Sequence, residues 1–367
     1  MALFNGAFAG RRVLITGHTG FKGSWLAIWL RELGAHVKGY ALAPRTERDN
    51  YVLSGLADKL DDTRGDVRDF AGLTRAFDDF QPEIVFHLAA QAIVRTSYDE
   101  PKETYDVNVG GTVNVLEAVR GSKSVKVLVN VTSDKCYENR EWVWGYREND
   151  PLGGYDPYSS SKGCAELVTA AYRSSFFNPR DRGAHGKSVA SVRAGNVIGG
   201  GDWSACRIVP DCIRALQKGE PVLVRNPHAI RPWQHVLEPL AGYLWLAAKM
   251  LEDGAGYAEP WNFGPGDEAC ISVGDLAAEI VKLWGAGSWV PGGDGSSRHE
   301  ATFLRLDCNK ARTYLGWKPC LTIAQALALT VDWYKRYERM DVYRLCLEQI
   351  SHYVECAAAM NQPWSRG

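Results

Sequence analysis

Four polar side chains, Thr132, Ser133, Asp134 and Lys135, follow directly on the apolar run VLVNV at 127–131. Tyr158 comes 26 residues after Thr132, and Lys162 follows it at i+4 in the string YSSSK. Residues i and i+4 share a helix face, so the lysine ammonium is expected beside the phenol. Its charge there favours the phenolate and lowers the tyrosine pKa. A phenolate so placed takes the proton of a substrate hydroxyl, and Thr132 is expected to hydrogen-bond the same hydroxyl. Asp134 adds a carboxyl able to protonate a leaving group. Lys135 adds either a base, if neutral, or a charge that stabilises an enolate. A Tyr-x-x-x-Lys spacing alone specifies nothing; this chemistry also needs a hydride acceptor and a place to hold it.

That place is GHTGFKG, where Gly17, Gly20 and Gly23 stand between a β-branched run at 13–16 and a helical one. The first glycine allows a tight turn, the second lets the backbone approach a pyrophosphate, and the third lets helix and strand pack. The helix N-terminus offers N–H donors. Thr19, Phe21 and Lys22 belong to the same loop and are assigned to the same dinucleotide. An acidic residue about 20 positions on normally holds the adenosine ribose of NAD. Here the second strand ends GYALAPR, with no carboxylate before Glu47. Arg45 there would suit the 2′-phosphate of NADP. Against that, Asp66, with Val67 in GDVRD, can accept from the adenine amino group, and NAD is the expected cofactor. Leu88, Ala89 and Ala90 in HLAAQ present small side chains to a nicotinamide-side ribose. Asn108, opening the next helix, is either a helix cap or a brace for active-site backbone.

The elements that must position these residues are legible as an alternation. SWLAIWLRELG repeats apolar residues at 25, 26, 29, 30 and 33 and stops at Gly34, the period of a helix. AHVKGYAL, the run at 83–88, VKVLVNVTS and KSVASVRAGN read as strands, with helical segments between them. Strands apolar on both faces, alternating with helices, predict an α/β fold: a Rossmann-like doubly wound parallel sheet with a smaller C-terminal α/β substrate domain. The polar turn at 132–135 then sits at a strand's carboxyl end, where such folds gather ligands. The expected division is an NAD-binding domain over 1–190 and a mainly sugar-nucleotide-binding domain over 191–345. Residues 235–250 are expected to pack back on the first domain, and 346–367 read as a polar tail.

Composition excludes other classes. With 42 Lys and Arg against 43 Asp and Glu, the formal charge of -1 argues against a broad nucleic-acid face or an anionic-membrane face. Nine cysteines, an odd number without a CxxC pair, suggest free thiols rather than a disulfide framework. The start shows no signal-peptide pattern, and the most apolar later stretch, 240–251, is interrupted by Lys249 and too short to span a bilayer. A cytoplasmic protein is expected. Eight scattered histidines without an HExxH string predict no metal site.

TGHTGFKGSWL at 16–26, TSDKCYEN at 132–139 and YSSSK at 158–162 resemble the CDP-glucose 4,6-dehydratase family of the extended short-chain dehydrogenase/reductases. VRAGNVIGGGDW at 192–203, IRPWQHVLEPLAGYL at 230–244 and LGWKP at 315–319 extend the likeness over about 8–340. HTGFKGSW and the Asp134–Lys135 pair are its specific parts, since related dehydratases carry Asp-Glu. The resemblance implies NAD, CDP-glucose as substrate, oxidation at C4 started by Tyr158, and loss of the C6 hydroxyl helped by Asp134 and Lys135. It also implies a homodimer or homotetramer and a product that feeds dideoxyhexose synthesis. A nucleotide-sugar 4-epimerase, or a dehydratase of another nucleotide-glucose, would share the glycines, Tyr158 and Lys162; Asp134–Lys135 speaks against the epimerase. The substrate's diphosphate calls for local cations, and Arg193, Arg225, Arg231 and Arg298 are the candidates. Arg231 is favoured by its place in IRPWQHV. Gln91, Arg95, Ser133, Asn196, His235 and His299 complete the expected substrate contacts.

Overall fold

In the computed structural model, which describes residues 2–292 and 303–365, RVLIT forms β1 (Arg12–Thr16) and the helical period after it forms α1 (Phe21–Glu32). The alternation continues through β2 (His36–Ala41), β3 (Asp61–Arg64), α2 (Phe70–Phe80), β4 (Ile84–His87), α3 (Gly111–Gly121), β5 (Val127–Val131), α4 (Pro157–Ser175) and β6 (Ser188–Arg193). Shorter elements follow: β7 (Val197–Ile198), α5 (Ile208–Lys218), β8 (Val222–Val224), β9 (Ile230–Pro232) and β10 (Gln234–His235). The chain ends through α6 (Leu237–Glu252), β11 (Pro260–Asn262), β12 (Cys270–Ser272), α7 (Val273–Trp284), β13 (Trp289–Pro291), α8 (Ile323–Arg336) and α9 (Val342–Ala359).

Seven strands pair in the order β11-β6-β5-β4-β1-β2-β3, every neighbour parallel. β4 and β5 are buried at every position, as strands covered by helices on both faces must be. This is the doubly wound Rossmann-like sheet that the alternation predicts. The order reverses between β1 and β4, and the switch point opens a crevice at the strands' carboxyl ends. The smaller C-terminal part joins β7 to β10, β8 to β13 and β9 to β12, with α5 packed on α7.

Position 190 falls inside β6, and β11 returns to the main sheet beside it. α6 is buried from Leu237 to Ala248 and packs against β5 and α1. The segment read as a polar tail is corrected: it continues α9, which lies against α1 and buries Cys346, Ile350, Tyr353 and Ala357. Those positions recur at helical spacing, but the charged residues of the outer face dominate the composition.

Candidate active site

Gly17 has φ +78, and a Cβ there would lie 2.7 Å from the Ala89 nitrogen, so the end of β1 and the HLAA segment can approach only through a glycine. A Cβ on Gly23 would fall 2.2 Å from the Gly17 carbonyl oxygen, whereas one on Gly20 would meet nothing nearer than 3.4 Å. Gly20 thus turns an open side to the crevice, and α1 starts at Phe21 with no side chain capping its first N–H groups. Thr19 donates to the Leu42 carbonyl at 3.0 Å, tying the loop to the end of β2. Across the switch point the Thr16 hydroxyl meets His87 Nδ1 at 2.6 Å. A dinucleotide diphosphate fits this cradle: open at the second glycine, closed at the others.

On the adenosine side, Arg45 is exposed and its backbone N–H donates to Asp49 at 2.8 Å. The Asp66 carboxylate receives the Arg68 backbone N–H and guanidinium at 2.6–2.9 Å, and Val67 is buried against Gly111. Two residues here were not anticipated. His18, inside the glycine loop, donates from Nε2 to Asp62 at 2.9 Å, and Asp62 also accepts from Tyr51 and Arg64. Burial lowers the His18 pKa to about 4, so at neutral pH this is a hydrogen bond from a neutral ring. A Cβ on Gly39 would lie 2.3 Å from that ring. The two partners are brought together by the β2–β3 register, Gly39 opposite Asp62, which no local pattern announces.

Asp156 caps α4 by accepting the Ser159 N–H at 2.9 Å, with Pro157 in the first turn, and this places Tyr158 one residue into the helix. Tyr158 and Lys162 are both buried, and Lys162 Nζ lies 3.4 Å from the Val131 carbonyl. The expected lowering of the Tyr158 pKa is corrected. Burial raises it to about 12, against the pull of a hydrogen bond from Ser133 and the charge of Arg207. Burial also pushes Lys162 down to about 8.

The hydroxyl that pulls the Tyr158 pKa down against burial is that of Ser133, not of Thr132. Thr132 instead donates to the buried carboxylate of Glu166. Successive side chains on extended backbone point to opposite sides, so only one of the two could face Tyr158. Ser133 donates to Asp134 Oδ1 at 3.0 Å and accepts the Lys135 N–H at 3.2 Å. Asp134 is 2% exposed, and its Oδ2 has no partner among the described residues. A Cβ on Gly195 would lie 2.0 Å from that oxygen, so the carboxyl has its room only because residue 195 is glycine.

These groups wall a cavity of about 800 Å³. Lys22, Thr132, Ser133, Asp134, Lys135 and Tyr158 line it, as do Arg95, Asn196, Arg225 and Arg231. Asn196 holds a left-handed backbone, φ +32, which asparagine tolerates better than most residues. Burial, and then the charge of Arg207, lower Lys22 to about 8. Arg207 itself lines the cavity and pairs with Asp202 at 2.9 Å. The string SACRIVP carries no signal for it.

Residues 13–262 match the family model described as the NAD dependent epimerase/dehydratase family. The chain belongs to that family. Its cofactor is NAD, for which the open side of Gly20 and the uncapped start of α1 provide the fit. A CDP-glucose 4,6-dehydratase of Salmonella typhimurium is 52% identical over 347 residues, 94% of this chain and 96% of that one. A UDP-glucose 4-epimerase of Mycolicibacterium smegmatis is 28% identical over 327 residues, 88% of this chain and 98% of that one. Among solved structures, a dTDP-glucose 4,6-dehydratase of Bacillus anthracis in complex with NAD aligns with a TM-score of 0.72 at 20% identity. That alignment covers 92% of this chain and 100% of the other, and it speaks for the fold.

Within this member of the epimerase/dehydratase family, three expected site residues are held elsewhere. Arg193 is buried in β6, where Nε and Nη2 grip Glu166 while Nη1 donates to Tyr137 and to the Glu148 carbonyl. Four of its five N–H donors are spent there and it does not line the cavity, because the sheet interior requires its charge to be paired. His235 is fully buried edge-on to Trp25, and burial takes its pKa to about 3. Gln91 donates to Thr104 and the Ile93 carbonyl instead of lining the cavity. Asn108 is a brace rather than a cap: it accepts the Gln91 N–H at 2.9 Å and donates to the Gln91 carbonyl and Ser161 at 3.0 and 2.8 Å. Arg298 and His299 lie outside the described residues.

Proposed function

We propose that the protein is an NAD-dependent hydro-lyase that converts CDP-glucose into CDP-4-dehydro-6-deoxyglucose and water. The observation that carries this reading is that Asp134 and Lys135 line the same cavity as Tyr158, an acid and an amine beyond what alcohol oxidation requires. The near-full-length relative from Salmonella typhimurium supports the cytidine nucleotide.

Tyr158 takes the proton of the C4 hydroxyl while Ser133 orients it; the positive charge of the nicotinamide, when NAD is bound, would favour the phenolate this needs against the burial that raises its pKa. NAD, held at the loop of Gly17, Gly20 and Gly23, would supply the hydride acceptor for C4 and the hydride donor for C6. The C4 ketone acidifies the C5 proton, which Lys135 removes; once protonated, the ammonium stabilises the enolate. Asp134 protonates the departing C6 hydroxyl. Lys135 then gives its proton back to C5. Arg225 and Arg231 meet the diphosphate, with Asn196 beside them. Self-association through α4 belongs to this reading, since Leu167 and Phe176 leave apolar surface exposed there. So does a cytoplasmic site of action, which the nine free thiols suit. No described helix is long and apolar enough to cross a membrane.

The test is incubation with NAD and CDP-glucose, with parallel samples of UDP-glucose and dTDP-glucose, followed by mass spectrometry. Loss of one water from CDP-glucose alone is expected. Loss from another nucleotide would keep the chemistry and discard the cytidine, and unchanged mass in all three would overturn the reading.

A further inference from the structure

We infer that Asp211 is the residue that selects cytosine, its carboxylate accepting the exocyclic amine that uracil and thymine lack. This assignment rests on the dehydration reading above, which takes the cytidine from a relative and gives it no recognising side chain. The cavity draws its lining from two parts of the fold. Asp134, Lys135 and Tyr158 follow β5 and open α4, and in that reading they fix where C4 to C6 of the hexose lie. Ile208, Pro210 and Asp211 come from the first turn of α5, and Leu223, Arg225 and Arg231 from β8, the turn after it and β9. In a nucleoside diphosphate sugar the diphosphate separates the base from the hexose. With the hexose at Tyr158 and the diphosphate at Arg225 and Arg231, the base falls to the rest of the lining that α5 and β8 supply.

Ile208, Pro210 and Leu223 offer apolar surface to a flat ring, and Leu223 is 63% exposed although it lines the cavity. Among the described residues, Asp211 is the one carboxylate that α5, β8 and β9 bring to that lining. Its side chain is held in place: Arg214 bonds Oδ1 and is itself tied to the Trp203 carbonyl at 3.0 Å. Oδ2 lies 3.8 Å from Arg225 Nη1, near enough for charge attraction and too far for a hydrogen bond. That oxygen keeps lone pairs for a donor arriving beside the guanidinium that meets the diphosphate. Burial pushes the Asp211 carboxyl up against the pull of both arginines, as it does where lost hydration is only partly replaced. Cytosine carries an amine at C4, a donor, whereas uracil and thymine carry a carbonyl there, an acceptor. A carboxylate bonds the first and repels the second, so one side chain attracts the right base and penalises the wrong ones.

Initial rates of the NAD-loaded enzyme on CDP-glucose and UDP-glucose, for wild type and Asp211→Asn, test the assignment. Asparagine keeps an oxygen for Arg214 and puts an amide N–H where Oδ2 stood, a donor that suits a carbonyl. The ratio of kcat/KM for CDP-glucose to that for UDP-glucose should fall by on the order of 100-fold. The change should lie in KM, because the base is held alike in ground and transition states. Asp211→Ser, whose hydroxyl both donates and accepts, should lose the same preference. Titration calorimetry with CDP and UDP reads the effect without turnover: Asp211→Asn should bind CDP more weakly and UDP more tightly than wild type does. Equal weakening towards both nucleotides in both variants would make Asp211 an anchor for Arg214 and overturn the assignment. A preference for CDP that survives both substitutions would overturn it too. In either case wild type still dehydrates CDP-glucose, and the reading of the reaction stands. Wild type that dehydrates another nucleotide-glucose and leaves CDP-glucose intact would overturn the cytidine reading itself, and the role of Asp211 with it.

Discussion

Arg193 holds Glu166 from both sides of its carboxylate, Nε at 2.9 Å from one oxygen and Nη2 at 2.8 Å from the other, with both side chains only 2% exposed. Burial pushes the Glu166 carboxyl up, but Arg193, Ser191 and Thr132 together hold it below the usual range. The pair stands behind Thr132, whose hydroxyl donates to Glu166. Its role is to seat the turn that carries Ser133, Asp134 and Lys135.

Removing one partner of a buried pair strands the other, so Arg193→Ala should cost about 3–5 kcal/mol of stability in urea denaturation. Arg225→Ala, at a half-exposed cavity position, should instead raise the KM for CDP-glucose with little change in stability. An exchange of these two outcomes would return Arg193 to the substrate site.

Thr132→Val removes a hydrogen bond to a buried carboxylate and should cost about 1.5–3 kcal/mol. Its first oxidation step, followed as transient NADH absorbance, should stay within a few-fold of wild type. A loss as deep as that of Tyr158→Phe would put Thr132 back beside the substrate hydroxyl.

Lys135→Ala should separate oxidation from elimination. NADH should accumulate after mixing with substrate and persist, while loss of water falls below detection. Equal loss of both signals would mean that Lys135 serves C4 as well as C5.

Stability should fall on acidification. Burial lowers His18 to about 4 and His87 and His235 to about 3, from a usual 6.5, while burial raises Glu238 to about 7 from 4.5. The histidine contribution is present above pH 6.5 and is lost as pH falls towards the folded values. The Glu238 contribution runs the other way, full below pH 4.5 and lost as pH rises through 7. Between pH 5 and 6 the unfolded chain binds a proton at each of the three histidines, whereas the folded protein binds one, at Glu238. Among these four groups unfolding takes up two protons, so stability should rise with pH by about 2.7 kcal/mol per unit. Glu238→Gln should steepen that slope by half. Urea denaturation at pH 5 and 6 would measure both, and a flat profile would contradict the buried neutral histidines.

Features that depend on near neighbours in the chain were legible without coordinates. The glycine spacing at 17, 20 and 23 and the i+4 step from Tyr158 to Lys162 are set by local backbone geometry. The same holds for the alternation that builds the sheet, because strand and helix periods write burial into the sequence directly. Asn108 lay at the limit of this reading. Its place at a helix start allowed cap or brace, and only the position of the Gln91 backbone chose the brace.

What tertiary structure decided were partners far apart in the chain. Whether Thr132 or Ser133 faces Tyr158 turns on the phase of one strand end against α4. Arg193 is an ion-pair residue and not a diphosphate ligand because Glu166, 27 positions away, comes to lie beside it in the interior. His18 found Asp62 through a strand register, and α9 found α1 through apolar positions diluted by charge on its outer face. A side chain's type states which bonds it can make, but burial and pairing decide which of them it spends inside the fold, and only those left over are available for chemistry.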